Sequence, residues 1–598
     1  MVTRNKRYRL RSYRPDQGAT DDDDDRVTIT SQQEAGEQVD IESHSDMEEL
    51  VNETPELYQN LKNRPKWEVV QQNAASKKTI PVYNSQVPFV SKIKTPIEYF
   101  REFMGVEVYD LICNESNRYA LQRDITNALC LDHKDLDIFL GIAMYMSLVK
   151  LPRTRYYWVS TLDIPAVEDF MTMRRWEIIK SNLHFFNNEE APEKGSPEYD
   201  KIYKIRTFLD IINASFNKIP ITKESLSIDE QMVPYAGTRG PRYYVRGKPN
   251  PWGFKVWVLA GTDGVVSNVD ICVGSTPKQD GLPDLKSIGN TVLKLASVIP
   301  SDLNHKLYMD NLFSGFPLYL ELQRRGIFCM GTARLDRLPA IKSVIIPDDE
   351  LKAMGRSAYE EYKCHLDDEN IDIRVCRWFD NKILTLMSNF CAAYPPSTVE
   401  RWDRTPPAKR TTVACPGMVK LYNSNMGGVD KMDSLIGFYR MFFRSRKWYH
   451  RIFFHFVDVA LCNSWLLYKR DWEQYQSLSH STQKPMNLYE FKSEVSYCLR
   501  YQNKPLSKNV GRPPKVQAPV KPIIRATRKK LPPVPVRVDQ VGHFPIGLTK
   551  RGYCKNAECK SYIKFYCIKC KVYLCIGNSK NCFNEFHGVQ VDLRDFPH

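Results

Sequence analysis

The sequence predicts a multidomain α+β protein, and three observations carry that prediction. The chain has 598 residues, well beyond the roughly 250–300 at which a single core stops growing. Its hydrophobic period switches from helical spacing over residues 93–224, to short runs of β-branched and aromatic residues over 225–409, and back to helical spacing as far as 502. Six of its 16 cysteines crowd between Cys554 and Cys582, marking a small module at the C-terminal end.

Residues 1–92 open with Arg4, Lys6, Arg7, Arg9 and Arg11 and run through the acidic stretch Asp21 to Asp25 with little periodic hydrophobicity, so a disordered tail is expected. From Pro96 the segments IEYFREFMGVEVYDLICNESNRYALQ and LDIFLGIAMYMSLVKLP read as helices, the second ended by Pro152. Strands begin at LSIDEQMVPY. FKVWVLAGTDGVVSNVDICVG reads as two strands about the turn Thr262-Asp263-Gly264, and HKLYMDN as a strand leading to a helix at Phe316 to Arg324. Antiparallel strands followed by a strand and a helix suggest an RNase H-like sheet over 225–336, completed by 410–436. Residues 337–409 alternate short strands (RVCRWFD, ILTLMSN) with proline-rich turns, as an insertion on that sheet would. Helical text fills 437–502, and 503–540, rich in proline and Lys/Arg, reads as a linker to the cysteine-rich residues 541–598.

Lys and Arg outnumber Asp and Glu by 85 to 70, and much of the acid lies in the first sixty residues, so the body is more basic than the net +15. A positive body suits a polyanion such as nucleic acid. Hydrophobic content of 42% excludes wholesale disorder. No run of 18 apolar residues exists and no apolar stretch follows the basic start, so neither a membrane span nor a signal peptide is expected. Ten scattered cysteines plus one dense cluster are unlike a secreted disulfide framework; a reducing compartment is expected, with the cluster holding metal.

Four acids stand where chemistry could use them: Asp229 in the strand SIDEQM, Asp310 at the end of LYMDN, and Asp430 with Asp433 in GGVDKMD. The last pair, at i and i+3, lies on one face of a helix and can share a cation. Hard divalent ions take carboxylate oxygens, and two of them about 3.5–4 Å apart clamp a phosphodiester displacement. The alternative is structural: Asp310 as a turn or helix cap, and Asp430 as an N-cap after Gly427 and Gly428.

The motifs S-I-D-E-Q-M-V-P-Y, R-G-K-P-x-x-x-G-F-K-V-W, Y-M-D-N-L-F-S, G-T-A-R and Y-N-S-N-M-G-G-V-D-K-M-D, in that order, closely resemble the successive motifs of piggyBac-family transposases. The resemblance implies a cut-and-paste DNA transposase of the DDE/D type. Asp229, Asp310 and Asp430 would be its catalytic triad and Asp433 an assisting acid, holding two Mg2+ or Mn2+ ions per active site. It further implies excision through hairpin intermediates and joining at TTAA targets, with the terminal inverted repeats as DNA partner. Joining two ends requires two active sites held together, so a homodimer is expected, assembled through a split helical dimerisation and DNA-binding domain at 93–224 and 437–502. A domesticated, transposase-derived DNA-binding or chromatin protein is the alternative from another class.

Basic residues point the same way. Arg239, Arg242, Arg246 and Lys248 cluster among Tyr243 and Tyr244, with Lys255 on the next strand, a pattern suited to phosphates and unpaired bases. Arg334 in GTAR resembles a basic family position beside the active site. Arg446 and Lys447 precede Trp448, which either stacks on DNA bases, as a family tryptophan would, or belongs to the core. Gly511-Arg512-Pro513 matches the centre of an AT-hook, with Val510 where its first arginine would stand. Arg525, Arg528, Lys529 and Lys530 suit nuclear import, and the nucleus is the expected location.

At the C-terminal end Cys554, Cys559, Cys567, Cys570, Cys575, Cys582 and His587 supply seven soft ligands in a segment too short to bury much core, so zinc would supply the folding energy. Two tetrahedral Zn2+ sites need an eighth ligand, either His543 in GHFP, where modules of the resembled family begin with a histidine, or His598.

Overall fold

The computed structural model describes residues 65–71, 80–85, 88–90, 92–197, 199–245, 248, 250–366, 370–403, 409–479, 484–502, 531–532, 534–577 and 580–588. The first helices are α1 (Pro96–Phe103), α2 (Val106–Arg123), α3 (His133–Leu148), α4 (Met173–Asn182) and α5 (Tyr203–Asn217). Local chemistry sets their starts. Thr95 and Glu98 cap α1 reciprocally, the Thr95 N–H donating to Glu98 at 2.6 Å, and the Asp132 carboxylate accepts from the Asp135 N–H at 2.8 Å before α3.

The large sheet contains β1 (Trp67–Val69), β2 (Ser225–Pro234), β3 (Tyr243–Tyr244), β4 (Trp252–Gly261), β5 (Val266–Ile271), β6 (Lys306–Met309), β7 (Phe328–Thr332), β8 (Tyr359–Leu366), β9 (Ile371–Phe379) and β10 (Ile383–Ser388). Its order is β1-β8-β9-β10-β7-β6-β2-β4-β3, with β5 also on β4. β2, β6 and β7 are parallel neighbours, while β2, β4 and β5 are antiparallel. Residues 337–409 therefore extend the sheet: β10 pairs with β7, carrying β9 and β8 beyond it. A separate ladder joins β11 (Pro396–Asp403) to β12 (Lys409–Pro416).

The near-continuous apolar text of β4 follows from burial on both faces. Phe254, Val256, Val258 and Ala260 point into a core shared with the helices, and Trp257 and Leu259 into a second core under α6 (Lys286–Ala296) and α7 (Phe316–Arg324). After the sheet come α8 (Gly417–Asn425), α9 (Gly428–Phe438), α10 (Tyr449–Ser479) and α11 (Leu488–Tyr501). The two helical stretches of the sequence meet in space. Tyr99 on α1 donates to Asp471 on α10 at 2.8 Å. At Gly141 on α3 an added Cβ would lie 2.8 Å from Arg500 and 3.0 Å from Leu499, so α11 approaches as only glycine allows.

The expected tail requires correction within the described residues. Trp67 is buried, pairs with Cys364 through β1 and β8, and donates its indole N–H to the Pro339 carbonyl at 2.8 Å. The carbonyls of Pro81 and Val82 accept from Lys306 and Asn304 at 2.7 and 2.8 Å, and the Val90 N–H donates to Gln474 at 3.1 Å. Polar composition with little periodic hydrophobicity concealed these few docking residues. Residues 1–64 and 503–530, including Arg512 and the basic residues 525–530, lie outside the described residues.

Two histidines tie the halves of the helical block. His184 Nδ1 is 2.8 Å from the Tyr449 hydroxyl, and His450 Nε2 is 3.1 Å from the Leu183 carbonyl. Burial, reinforced by Lys447, holds each at about 3, below the usual imidazole range. The unfolded chain then takes up protons between about pH 6.5 and 3 that the folded chain refuses, so the histidines' contribution is present above pH 6.5 and lost as pH falls through that window. Urea denaturation at pH 7 and pH 5 is expected to show a loss of stability that is smaller in His184→Gln than in the parent; equal losses would rule out the histidine as a cause.

Candidate active site and metal centres

β2 and β6 run parallel with Ile228 opposite Met309, which sets Asp229 beside Asp310 one residue further along. Asp310 stands where β6 ends: its carboxylate accepts from the Leu312 N–H at 2.8 Å and its carbonyl from the Ser314 N–H at 3.2 Å, so it also braces the turn. Asp229 accepts from the Glu230 N–H at 2.7 Å.

Asp430 and Asp433 arrive on α9, which packs on β2 and β4. The approach is close because Gly428 opens the helix: a Cβ there would lie 2.5 Å from the Gly261 carbonyl and 2.7 Å from the Ser227 hydroxyl. Gly427 is the N-cap, so Asp430 is inside the first turn and the capping alternative does not hold for it. Asp430 is exposed and Asp433 partly buried.

Burial pushes Asp229 up to about 7, with Asp310 adding to the rise, and Asp433 up to about 6, with Asp430 adding. Asp310 is raised as well, chiefly by burial. The Lys248 ammonium faces Glu230, Asp229 and Asp430, and is 3.5 Å from Glu230. These carboxylates are electrostatic neighbours with too little positive charge among them, a setting in which a divalent cation is favoured. Among the described residues, however, only the cysteine and histidine groups bring three or more ligand atoms within 4.8 Å of one another.

Several expected DNA contacts need correction. Lys255 is 2% exposed and bonded to Glu230 at 2.7 Å, an internal counter-ion to the acids. Trp448 is 5% exposed, packs against Phe254 with ring centroids 5.6 Å apart, and is covered by Gly240, where an added Cβ would lie 2.8 Å from the indole. It is core in this conformation because the loop before β3 folds over it. Lys447 sits 4.0 Å from the Tyr119 ring and donates to the Leu183 carbonyl at 3.2 Å. Arg239 and Arg446 are exposed, Arg242 lies over Trp252 at 4.4 Å, and Arg334 pairs with Asp336 at 3.3 Å. Arg246 is outside the described residues. Sequence reading missed Glu230, Gln231, Arg440 and His455 around the acids; Glu230 and Gln231 stood inside the strand motif, but the other two depend on how α10 folds back.

The C-terminal module joins β13 (Pro545–Tyr553), β14 (Tyr562–Cys567), β15 (Val572–Tyr573) and α12 (Cys582–Phe586) around two quartets, His543, Cys567, Cys570, His587 and Cys554, Cys559, Cys575, Cys582. His543 turns Nδ1 to Cys567 and Cys570, at 3.6 and 3.4 Å, and anchors Nε2 on the Val536 carbonyl and Asp539, both at 3.0 Å. His587 donates Nδ1–H to Phe583 at 2.7 Å, leaving a buried Nε2 with no partner among the described residues. One ring nitrogen anchored and the other turned inward is how a metal-binding histidine is held. His598 lies outside the described residues. The module starts earlier than expected, since Val536 is buried and Arg537 lies 4.7 Å from the Phe586 ring.

Comparisons with known proteins agree with this architecture. The family model described as Transposase IS4 matches residues 95–465. The human (Homo sapiens) PiggyBac transposable element-derived protein 3 is 28% identical over 509 residues, covering 83% of this chain and 77% of that protein. Its human relative, PiggyBac transposable element-derived protein 2, is also 28% identical, covering 84% and 78%. The cryo-EM structure of a piggyBac transposase synaptic complex with hairpin DNA superposes with a TM-score of 0.55 at 19% identity, covering 69% of this chain and 81% of that one, a likeness of fold. Ordered motifs, a mixed sheet carrying clustered acids, and a family match over most of the body lead to one conclusion: the chain belongs to the piggyBac-type transposase family.

Proposed function

We propose that the protein is a DNA transposase acting by cut and paste on a carboxylate active site, Asp229, Asp310, Asp430 and Asp433. The observation that carries this reading is the convergence of the acids: neighbouring parallel strands supply two, and a helix pressed onto the same strands at Gly428 supplies the others. The strand order β5-β4-β2-β6-β7, with three antiparallel strands followed by two parallel ones, supports an RNase H-like reading of the sheet.

Divalent Mg2+ or Mn2+, two ions per site, would activate the attacking water or 3′-hydroxyl and stabilise the leaving oxygen. The chain itself supplies the rest. Asp229 and Asp310 would hold their oxygens towards the ions from the sheet, Asp430 and Asp433 from α9, and Lys248 would shift towards the phosphodiester as its acids became paired with metal. Exposed Arg239 and Arg446, with Arg242 and Arg334, would steer the backbone. DNA as the partner, TTAA as the target, a homodimer built through the helical block and a nuclear location belong to this same proposal.

A second reading, a domesticated DNA-binding protein, draws on the relatives' description as transposable element-derived proteins. All four acids are present, which favours the enzyme. Asp310→Asn is expected to abolish nicking of a transposon-end duplex, by a factor of about 10^3 or more, with DNA affinity retained, since a neutral amide attracts a divalent ion far less. Nicking at the parent's rate would refute the assignment, and a parent inactive on its own element's ends would favour the second reading.

For the C-terminal module we propose two zinc ions, one in each quartet. The ligands interleave along the chain, His543 and His587 enclosing the all-cysteine quartet while Cys567 and Cys570 divide it, so release of either ion slackens the loops that hold the other. Metal analysis of the purified full chain is expected to find two zinc ions. Cys567→Ser with Cys570→Ser should lose both and become protease-sensitive over about 534–588, with the catalytic sheet still folded. Retention of one tightly held ion would show that the sites are independent.

A further inference from the structure

Gln231 is two residues beyond Asp229 on β2, hence on the same face of the strand, and is 1% exposed. Its Oε1 lies 2.7 Å from Nε2 of His455, a buried residue of α10. Burial keeps this imidazole neutral, so Nε2–H donates and the amide oxygen accepts. That contact orients the amide and leaves its NH2 group to donate elsewhere. The Gln231 Nε2 and the Asp433 Oδ1 are both buried without a regular hydrogen-bond partner among the described residues, one a donor and the other an acceptor. Gln231 is also among the groups that favour the ionised Asp433 carboxyl.

We infer that His455 and Gln231 form a positioning relay: the imidazole fixes the amide, and the amide holds Oδ1 of Asp433 so that its other oxygen is directed at a divalent cation. This rests on the carboxylate site proposed above. His455 acts only through Gln231, and neither residue touches DNA or the reacting atoms. The relay also explains why a glutamine is fully buried on β2, where a donor without an acceptor would be costly. With a cation bound, Asp433 would carry a full charge to which the amide would donate.

The test is manganese binding to the zinc-replete full chain by calorimetry, with the thermal midpoint of the manganese-free protein as control. Mn2+ competes poorly with zinc for thiolates, so the cysteine module does not interfere. Gln231→Met keeps the bulk and removes the donor, and is expected to weaken Mn2+ affinity roughly tenfold, the scale of a hydrogen bond to a charged group. His455→Asn should weaken it less, and the double variant no more than Gln231→Met alone, because the histidine works through the amide. Folded Gln231→Met with Mn2+ affinity within about twofold of the parent would overturn the relay, as would additive effects in the double variant. Asp310→Asn separates this from the underlying reading: if it leaves Mn2+ affinity unchanged, the carboxylate site itself is wrong; if it alone weakens binding, only the relay is.

Discussion

The close contact between α9 and the β2–β4 pair is the constraint on which the candidate site depends. At Gly428 the helix backbone stands where any side chain would strike the Gly261 carbonyl and the Ser227 hydroxyl. Half of the acidic cluster is on that helix and half on the sheet beneath it. A helix further out would leave Asp433 as open to solvent as Asp430 is, with its ordinary affinity for a cation. Pressed inwards, Asp433 is desolvated beside the strand that carries Asp229, and both hold their protons more tightly than exposed aspartates do. Packing thus creates an electrostatic demand that only positive charge can meet.

The fold meets part of that demand internally. Lys255, almost completely buried, is bonded to Glu230, and Lys248 reaches the same carboxylate from the loop after β3. The first is committed, since its neighbours leave it nowhere to go. The second is partly exposed and faces Asp229 and Asp430 as well. A strong, immobile counter-ion for every acid would compete with metal. Pairing the acid that is not a ligand and leaving the others under-compensated keeps the sheet folded and the site receptive. Behind α9, the buried Asp458 carboxylate accepts from the Lys492 ammonium at 2.9 Å and from the Met441 N–H at 2.8 Å, and Lys492 also donates to the Tyr439 carbonyl at 2.7 Å. These bonds fix the exit of α9 onto the helical block, so the position of this helix is set at both ends.

How much of this was legible in the sequence divides by range. The period switch at LSIDEQMVPY located β2, and the continuous apolar run FKVWVLAG located β4, because alternation and its loss are local signals. Seven of the eight soft residues were legible because thiol and imidazole clusters are rare without a cause, the eighth standing open between His543 and His598; their division into two interleaved quartets was not, since spacing along the chain says nothing of which loops cross. Lys255 was misread, and Trp448 left open, for one reason: a basic or aromatic residue beside a candidate site looks like a contact until tertiary packing buries it. Gly240 folding over Trp448 and Glu230 turning to Lys255 are non-local events. Trp67, isolated in polar text, shows the converse, a single aromatic residue sufficient to dock a strand where composition indicated a tail.

The two kinds of candidate metal site also differ in what the protein loses without metal. Around the carboxylates the chain has large apolar cores on both faces of β4, so that region would fold on its own hydrophobic energy and a cation would only tune it. In the C-terminal module the ligands themselves are most of the buried residues: six cysteines beside Val572, Leu574, Phe583 and Phe586. Every residue of β13 is at least partly exposed. A domain whose interior consists of ligands has no fold to fall back on, and its stability is then the metal's binding free energy. Hard oxygen ligands on a self-supporting sheet would allow exchangeable ions, whereas soft ligands in a small module would call for a permanent one.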